Sequence, residues 1–354
     1  MSLEKTTYTT EKQPLYWIDV LRTLATFAVI FLHTSGYLLG AFTTDSMEHW
    51  WVGNIYDGGV RFCVPIFFMI SGALLLSRDY SLENFIKKRF MRLIPPFLFW
   101  SFVYIGYDLY HKMSDNDVVM GSVDTLIFIR DKLLHSSHVH LWFVYTLIGA
   151  YLFIPIIRKW IKNATSKEIL YFLTLWVVVI TFHYSFLHSY MPAIDTSYFS
   201  SFMCYMVFGY FLRNNTNQLL NNKSFALLLF ILGNAITILG TYYISEQSGV
   251  FKEEFYYYLR INVVISAMGF FLFFKNLSIK EGWLLTFVCF ISKHSYGIYL
   301  VHILITYLLA YIGIHTAIAH PAVSVPMVSI ICLVVSALVI SIMKKIKLGN
   351  IIAG

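Results

Sequence analysis

Charge is what this sequence has least of: Asp, Glu, Lys and Arg make up only 13% of 354 residues, against roughly a quarter in a soluble domain. That shortage excludes a soluble globular protein. Cysteine is also scarce, and its four positions, Cys63, Cys204, Cys289 and Cys332, fall in or beside apolar stretches without paired spacing. Neither a disulfide framework nor a thiolate metal site is therefore expected, and these residues read as small packing side chains. Internal repeats, low-complexity tracts and a separate polar domain are missing too. No cleavable signal peptide is expected, because the first apolar stretch is too long and is broken by charges.

What the chain has instead is apolar sequence, 58% of the total, arriving in blocks of roughly 17–25 residues, long enough to cross about 30 Å of hydrocarbon as helix. The fold class predicted is all-α, a polytopic membrane bundle of about ten transmembrane helices. Their approximate limits are 15–39, 60–77, 93–110, 139–157, 169–187, 197–212, 224–244, 259–275, 295–312 and 325–343. With the N-terminus inside, nineteen of the 26 basic residues fall on inner segments and six on outer ones, Arg22 lying within a span. Basic residues concentrate on the cytoplasmic side of membrane proteins, so both termini are expected to be cytoplasmic. The chain then divides into a tail at 1–14, a transmembrane domain at 15–343 and a second tail at 344–354. The net charge of +7 follows from those inner loops and does not point to nucleic acid. Between the third and fourth spans, an apolar run from Val123 to Leu134 is too short to cross and suits a helix lying on the outer surface. The inner segment "SLENFIKKRFMRLIPP" reads as amphipathic, with Pro95 and Pro96 near the start of the third span.

The first span breaks the apolar rule. Within "DVLRTLATFAVIFLH", Arg22 and His33 are eleven residues apart, about 1100° of helical rotation, so they share one face about 16 Å apart along the axis. Asp19 and Thr26 lie on the same stripe at i−3 and i+4 from Arg22. Such a stripe is costly against lipid and should face the bundle interior or a watery cavity. Two readings remain open: an Asp19–Arg22 pair locking helices with His33 as a core histidine, or a functional lining. His33 lies about 27 Å beyond Leu15 along the axis, in the outer half, whereas Asp19 and Arg22 are near the inner face. At the outer end of the fourth span, "HSSHVH" groups His135, His138 and His140, but no carboxylate or cysteine nearby completes a zinc site. No metal is expected there, and His140 with Trp142, whose ring can stack on a ligand or anchor at the interface, reads as flanking an entrance.

Several motifs together are recognisable. The chain resembles the integral-membrane acyltransferase-3 family, especially stand-alone members similar to the enterobacterial common antigen O-acetyltransferase. Arg22 and His33 match its Arg-x10-His signature. "VPIFFMISGALLL", ending in Ser71-Gly72-Ala-Leu-Leu-Leu, "KKRFMRLIPP" with Arg89 and Arg92, "HLWF" and "ISKHSYGIYLVH" match further motifs in family order along the whole chain.

The resemblance implies transfer of an acyl group, usually acetyl, from cytosolic acyl-coenzyme A to a hydroxyl of a cell-surface glycan or its lipid-linked precursor. No tightly bound cofactor is implied; acetyl-CoA or another acyl-CoA serves as co-substrate, membrane lipid is a partner, and the location is a bacterial cytoplasmic (inner) membrane. Within it, His33 suits the general base, an acyl-imidazole being the lesser use, because its ordinary pKa lies near neutrality. Arg22 cannot be a base; with His33 and Asp19 it belongs to the catalytic stripe. It either stabilises negative charge on the donor or intermediate or orients partners with Asp19, and lining the path of the pantetheine arm is the preferred role. Arg89 and Arg92 suit the donor phosphates, although a basic loop also sets topology and accounts for Lys87 and Lys88. Ser71 either lines the donor tunnel or, with Gly72, permits close helix packing. Tyr296, Tyr299 and His302 share a helix face; the tyrosines read as packing, and His302, placed in the inner half, as donor-side. The rival readings are a polysaccharide exporter or flippase without acyl transfer, and a receptor or scaffold, which would have no use for the stripe.

Overall fold

The computed structural model describes residues 15–43, 46–115 and 121–354. The tail at 1–14, including Lys5 and Lys12, lies outside them. Among the described residues the chain is helical, without strands. The helices are α1 (Tyr16–Ser35), α2 (Met47–Gly59), α3 (Cys63–Leu75), α4 (Leu82–Asp115), α5 (Ser122–His135), α6 (Trp142–Asn163) and α7 (Ser166–Thr181). There follow α8 (Ser185–His188), α9 (Met203–Asn214), α10 (Lys223–Ser248), α11 (Ile261–Lys275), α12 (Trp283–Tyr311), α13 (Pro321–Met343) and α14 (Gly349–Ile352).

By length and composition, seven segments of the described chain are able to cross a membrane: Tyr16–Phe42, Met47–Leu75, Trp142–Asn163, Lys223–Ser248, Glu254–Lys275, Trp283–Tyr311 and Pro321–Met343. The other three expected spans are also helical. However, α4 carries Lys87, Lys88, Arg89 and Arg92 in its first turns, and α7 and α9 have only 16 and 12 residues.

Three expected boundaries move. The inner amphipathic segment and the third span are one 34-residue helix, α4, which continues through Pro95 and Pro96. The second crossing is preceded by α2, where a loop was expected. The ninth begins at Trp283, not at 295, because Lys293 and His294 interrupt its apolar run without ending the helix. A lysine near a helix end can extend its ammonium to the interface. The surface helix does form: α5 has no buried residue, and Lys132 Nζ lies 2.5 Å from Asp108 Oδ2 on α4.

Local signals account for the helix ends. Thr165 and Glu168 form a reciprocal capping box at the start of α7, satisfying two otherwise unpaired N–H groups. Asn222 caps α10, which ends at Gly249 with φ of 70°, a conformation that glycine adopts without penalty.

The bundle is organised around α1, which packs on α12, α13, α3, α11 and α2. In hydrocarbon, helices associate by van der Waals contact, so glycine at a crossing lets backbones touch. The α3–α9 crossing is of this kind on both sides. A Cβ on Gly72 would lie 1.9 Å from the Met206 carbonyl oxygen, and one on Gly209 would lie 2.1 Å from that of Met69. Gly209→Leu should therefore force α3 from α9 and cost at least about 1–3 kcal/mol. Gly149→Ala should be neutral, since its Cβ would meet nothing within 4 Å. Thermal unfolding in detergent checks this, and equal midpoints for the two variants would contradict the packing.

Candidate functional site

Both ends of the α1 stripe face α12. Near the start of α1, Asp19 Oδ1 lies 3.6 Å from Arg22 Nη1, and Ser292 bridges the two. Its hydroxyl accepts from Arg22 Nη1 at 3.0 Å and donates to Asp19 Oδ1 at 2.6 Å. Thr26 Oγ1 donates to the Arg22 carbonyl at 2.8 Å, so that member of the stripe is spent within the helix. At the other end, the His33 ring lies 5.3 Å from the His302 ring and 6.2 Å from that of His140, centroid to centroid.

Two cavities follow the stripe. The larger, of about 390 Å³, is lined by Arg22, Arg78, Lys88, Arg89 and Arg92. Ser71 reaches it from α3, its Oγ 3.3 Å from Tyr151 Oη. Thus Ser71 lines the cavity while its neighbour Gly72 makes the close helix contact: the two readings of that pair apply to different residues. Pro95 and Pro96 have no N–H, so the carbonyls of Met91 and Arg92 lack their usual helical donors beside this cavity. Tyr296 Oη secures the same stretch by donating to the Leu93 carbonyl at 2.7 Å. Arg158 donates to the carbonyls of Arg78 and Tyr80 at 3.2 and 2.8 Å, holding the turn that presents Arg78.

The smaller cavity, about 30 Å³, is lined by His33, His140, Trp142, Tyr258, Val29, Leu32, Cys63 and Val64. Phe143 and Tyr299 line both cavities and form the wall between them. Tyr299 Oη is held there by donating to the His140 carbonyl.

Two sequence-based placements are corrected. His302 is not in the inner half with Ser71, Arg89 and Arg92. Because α12 starts at Trp283, His302 is carried up beside His33, fully buried. His140 is not at the surface: it is 1% exposed, and its ring meets those of His33, His302, Tyr104 and Tyr299. The turn before α6 tucks inward, which composition does not reveal. Trp142 is half-buried, stacked on Tyr258 at 5.7 Å, while His135 is exposed. Among the described residues, no group of three His, Cys, Asp or Glu side chains is placed to hold a metal ion.

Sequence reasoning passed over several lining residues. Arg78 and Lys88 were counted only as topological charges, Tyr299 as packing, and Tyr151 and Tyr258 not at all. Arg61, one of the six basic residues expected on outer segments, instead pairs with the buried Asp57 one turn earlier and lies over the Tyr256 ring at 4.2 Å. The i, i+4 spacing of Asp57 and Arg61 was the available signal.

The acyltransferase domain of the acyltransferase-3 family matches residues 15–344. "Putative acetyltransferase ORF330" of Acidianus two-tailed virus is 23% identical over 312 residues, which cover 85% of this chain and 86% of that protein. No solved structure matches the chain.

The Asp57–Arg61 pair gives a stability test. Removing one partner of a buried pair strands the other charge, at about 3–5 kcal/mol, whereas removing both is far less costly. Asp57→Ala should lower the unfolding midpoint strongly, and adding Arg61→Leu should recover much of the loss. An additive double variant in thermal unfolding would contradict the pairing.

Proposed function

Since the chain belongs to the acyltransferase-3 family and is an acyltransferase, we propose that it moves an acetyl group from cytosolic acetyl-coenzyme A to a hydroxyl of a cell-surface glycan or its lipid-linked precursor. One observation carries this reading: five cationic side chains surround a 390 Å³ cavity whose far wall, Phe143 and Tyr299, is shared with the chamber of His33. Coenzyme A is a polyanion at one end and a neutral thioester at the other. Arg22, Arg78, Lys88, Arg89 and Arg92 suit its phosphates, the arginines by bidentate contact. Its pantetheine arm then follows α1 over the roughly 16 Å from Arg22 to His33, passing between Phe143 and Tyr299.

At His33 the acceptor hydroxyl needs a base. A neutral imidazole takes the hydroxyl proton as oxygen bonds to the thioester carbon. The carbon–sulfur bond then breaks with its electron pair going to sulfur, and the imidazolium returns the proton to the thiolate. Arg22 stays protonated and holds the donor, oriented by Asp19 and Ser292.

The topology that suits this chemistry has ten crossings, with α4, α7 and α9 added to the seven long apolar segments. Both termini are cytoplasmic, and the membrane is the cytoplasmic membrane of a bacterium. The distribution of basic residues supports it. Export of a polysaccharide fits less well, because it would have no use for a histidine in helical register with an arginine beside a cavity of five cations.

The test uses the purified protein in lipid with acetyl-labelled coenzyme A and a lipid-linked glycan. Label should reach the glycan, and His33→Ala should cut the rate by about 10²–10⁴-fold, the usual worth of a general base. Arg89→Ala with Arg92→Ala should weaken donor affinity by tenfold or more, since each charged hydrogen bond contributes about 1.5–3 kcal/mol. Glycan crossing the vesicle unlabelled and unaffected by donor would overturn the enzyme reading in favour of export.

A further inference from the structure

A base in the membrane interior needs its ring held and its proton on the correct nitrogen. His33 makes no hydrogen bond to the described residues. The groups around it are His302 on α12, His140 before α6 with His138 behind it, Arg61 between α2 and α3, and Cys63, Tyr258 and Tyr299 of the chamber wall. Arg61 has only donors and is paired with Asp57.

The two neighbouring imidazoles differ. In His140 both nitrogens are engaged: Nδ1 with His138 Nδ1 at 3.4 Å and Nε2 with the Leu300 carbonyl at 3.4 Å. His302 Nδ1 lies 2.6 Å from the Tyr299 carbonyl. A carbonyl only accepts, so Nδ1 carries the proton and Nε2 presents a lone pair. That Nε2 is buried without any partner, which is costly. At 5.3 Å between ring centroids, the two ring edges can approach to hydrogen-bonding distance, directly or through one water.

We infer that His302 is the positioning residue for His33: its Nε2 accepts the His33 N–H, which leaves the other His33 nitrogen free to take the substrate's proton. The inference rests on the reading of His33 as the base. It gives a neutral imidazole the place that a carboxylate holds in a hydrolase triad, so no net charge is added to the membrane interior.

The test measures acetyl transfer with acetyl-coenzyme A and the lipid-linked glycan, alongside thermal unfolding and donor binding. His302→Phe fills the space without an acceptor. It should lower kcat by up to about 10⁴-fold, the loss seen when a triad's orienting carboxylate is replaced, with donor KM unchanged. His302→Gln, whose Oε1 reaches the Nε2 position, should keep activity within about tenfold. His302→Asn, equally polar but shorter, should behave like Phe; it provides the comparison with Gln even if the Phe variant does not fold. Folded Gln and Asn variants of equal kcat, or a Phe variant as active as Gln, would overturn the inference. Inactive wild-type protein would instead overturn the acyltransfer reading, and an active His33→Ala the role of the base.

Discussion

The cost of placing ionisable side chains in hydrocarbon governs this molecule. An Arg or His on a lipid-facing helix is penalised by several kcal/mol, so the helix that carries Asp19, Arg22 and His33 must lie inside the bundle. It does so: α1 contacts five other helices, and α12 supplies a partner at each end, Ser292 for the ion pair and His302 for the histidine ring. Close packing through Gly72 and Gly209 brings α3, with Ser71, to one side of that axis. The remaining helices complete the wall.

Enclosing the stripe divides it by chemistry. Its Arg22 end borders a space rich in guanidinium and ammonium groups; its His33 end borders a small chamber of imidazoles, aromatic rings and aliphatic side chains. Phe143 and Tyr299 belong to both. The wall separates a region that can hold anions from one where water is scarce, and a thioester delivered through it would meet its acceptor away from competing hydrolysis. The Tyr299 hydroxyl is fixed to the His140 carbonyl, so the wall and the histidine cluster are positioned by the same contact.

Much of this was legible in the sequence because it depends on local period. Block lengths gave the helical membrane class, the eleven-residue interval gave the shared face of Arg22 and His33, and the short apolar run gave α5. What escaped depends on tertiary approach. Lys293 and His294 obscured the true start of α12, and a twelve-residue error in that start displaced His302 by about 18 Å along the axis. His140 looked like part of a polar surface cluster because nothing in "HSSHVH" says which of its residues the chain tucks inward. The lining tyrosines could not be told from core aromatics, since burial and lining demand the same residue type. Arg78 was hidden differently: its charge already had an adequate explanation in topology.

Arg61 is the cation nearest the histidine cluster that is held in a buried ion pair. Asp57, buried one turn away, is paired with it, and the Tyr256 ring at 4.2 Å covers the planar face of the cation. The His33 chamber is thus lined by imidazoles, aromatic rings and aliphatic side chains, with a charge pair beside it, whereas the cavity on the other side of the Phe143–Tyr299 wall is strongly positive. An anionic carrier with a neutral reactive end would be drawn to the positive cavity by charge and would enter the histidine chamber only by its uncharged part. The orientation such a donor would take thus follows from where this sequence pairs its cations and where it does not.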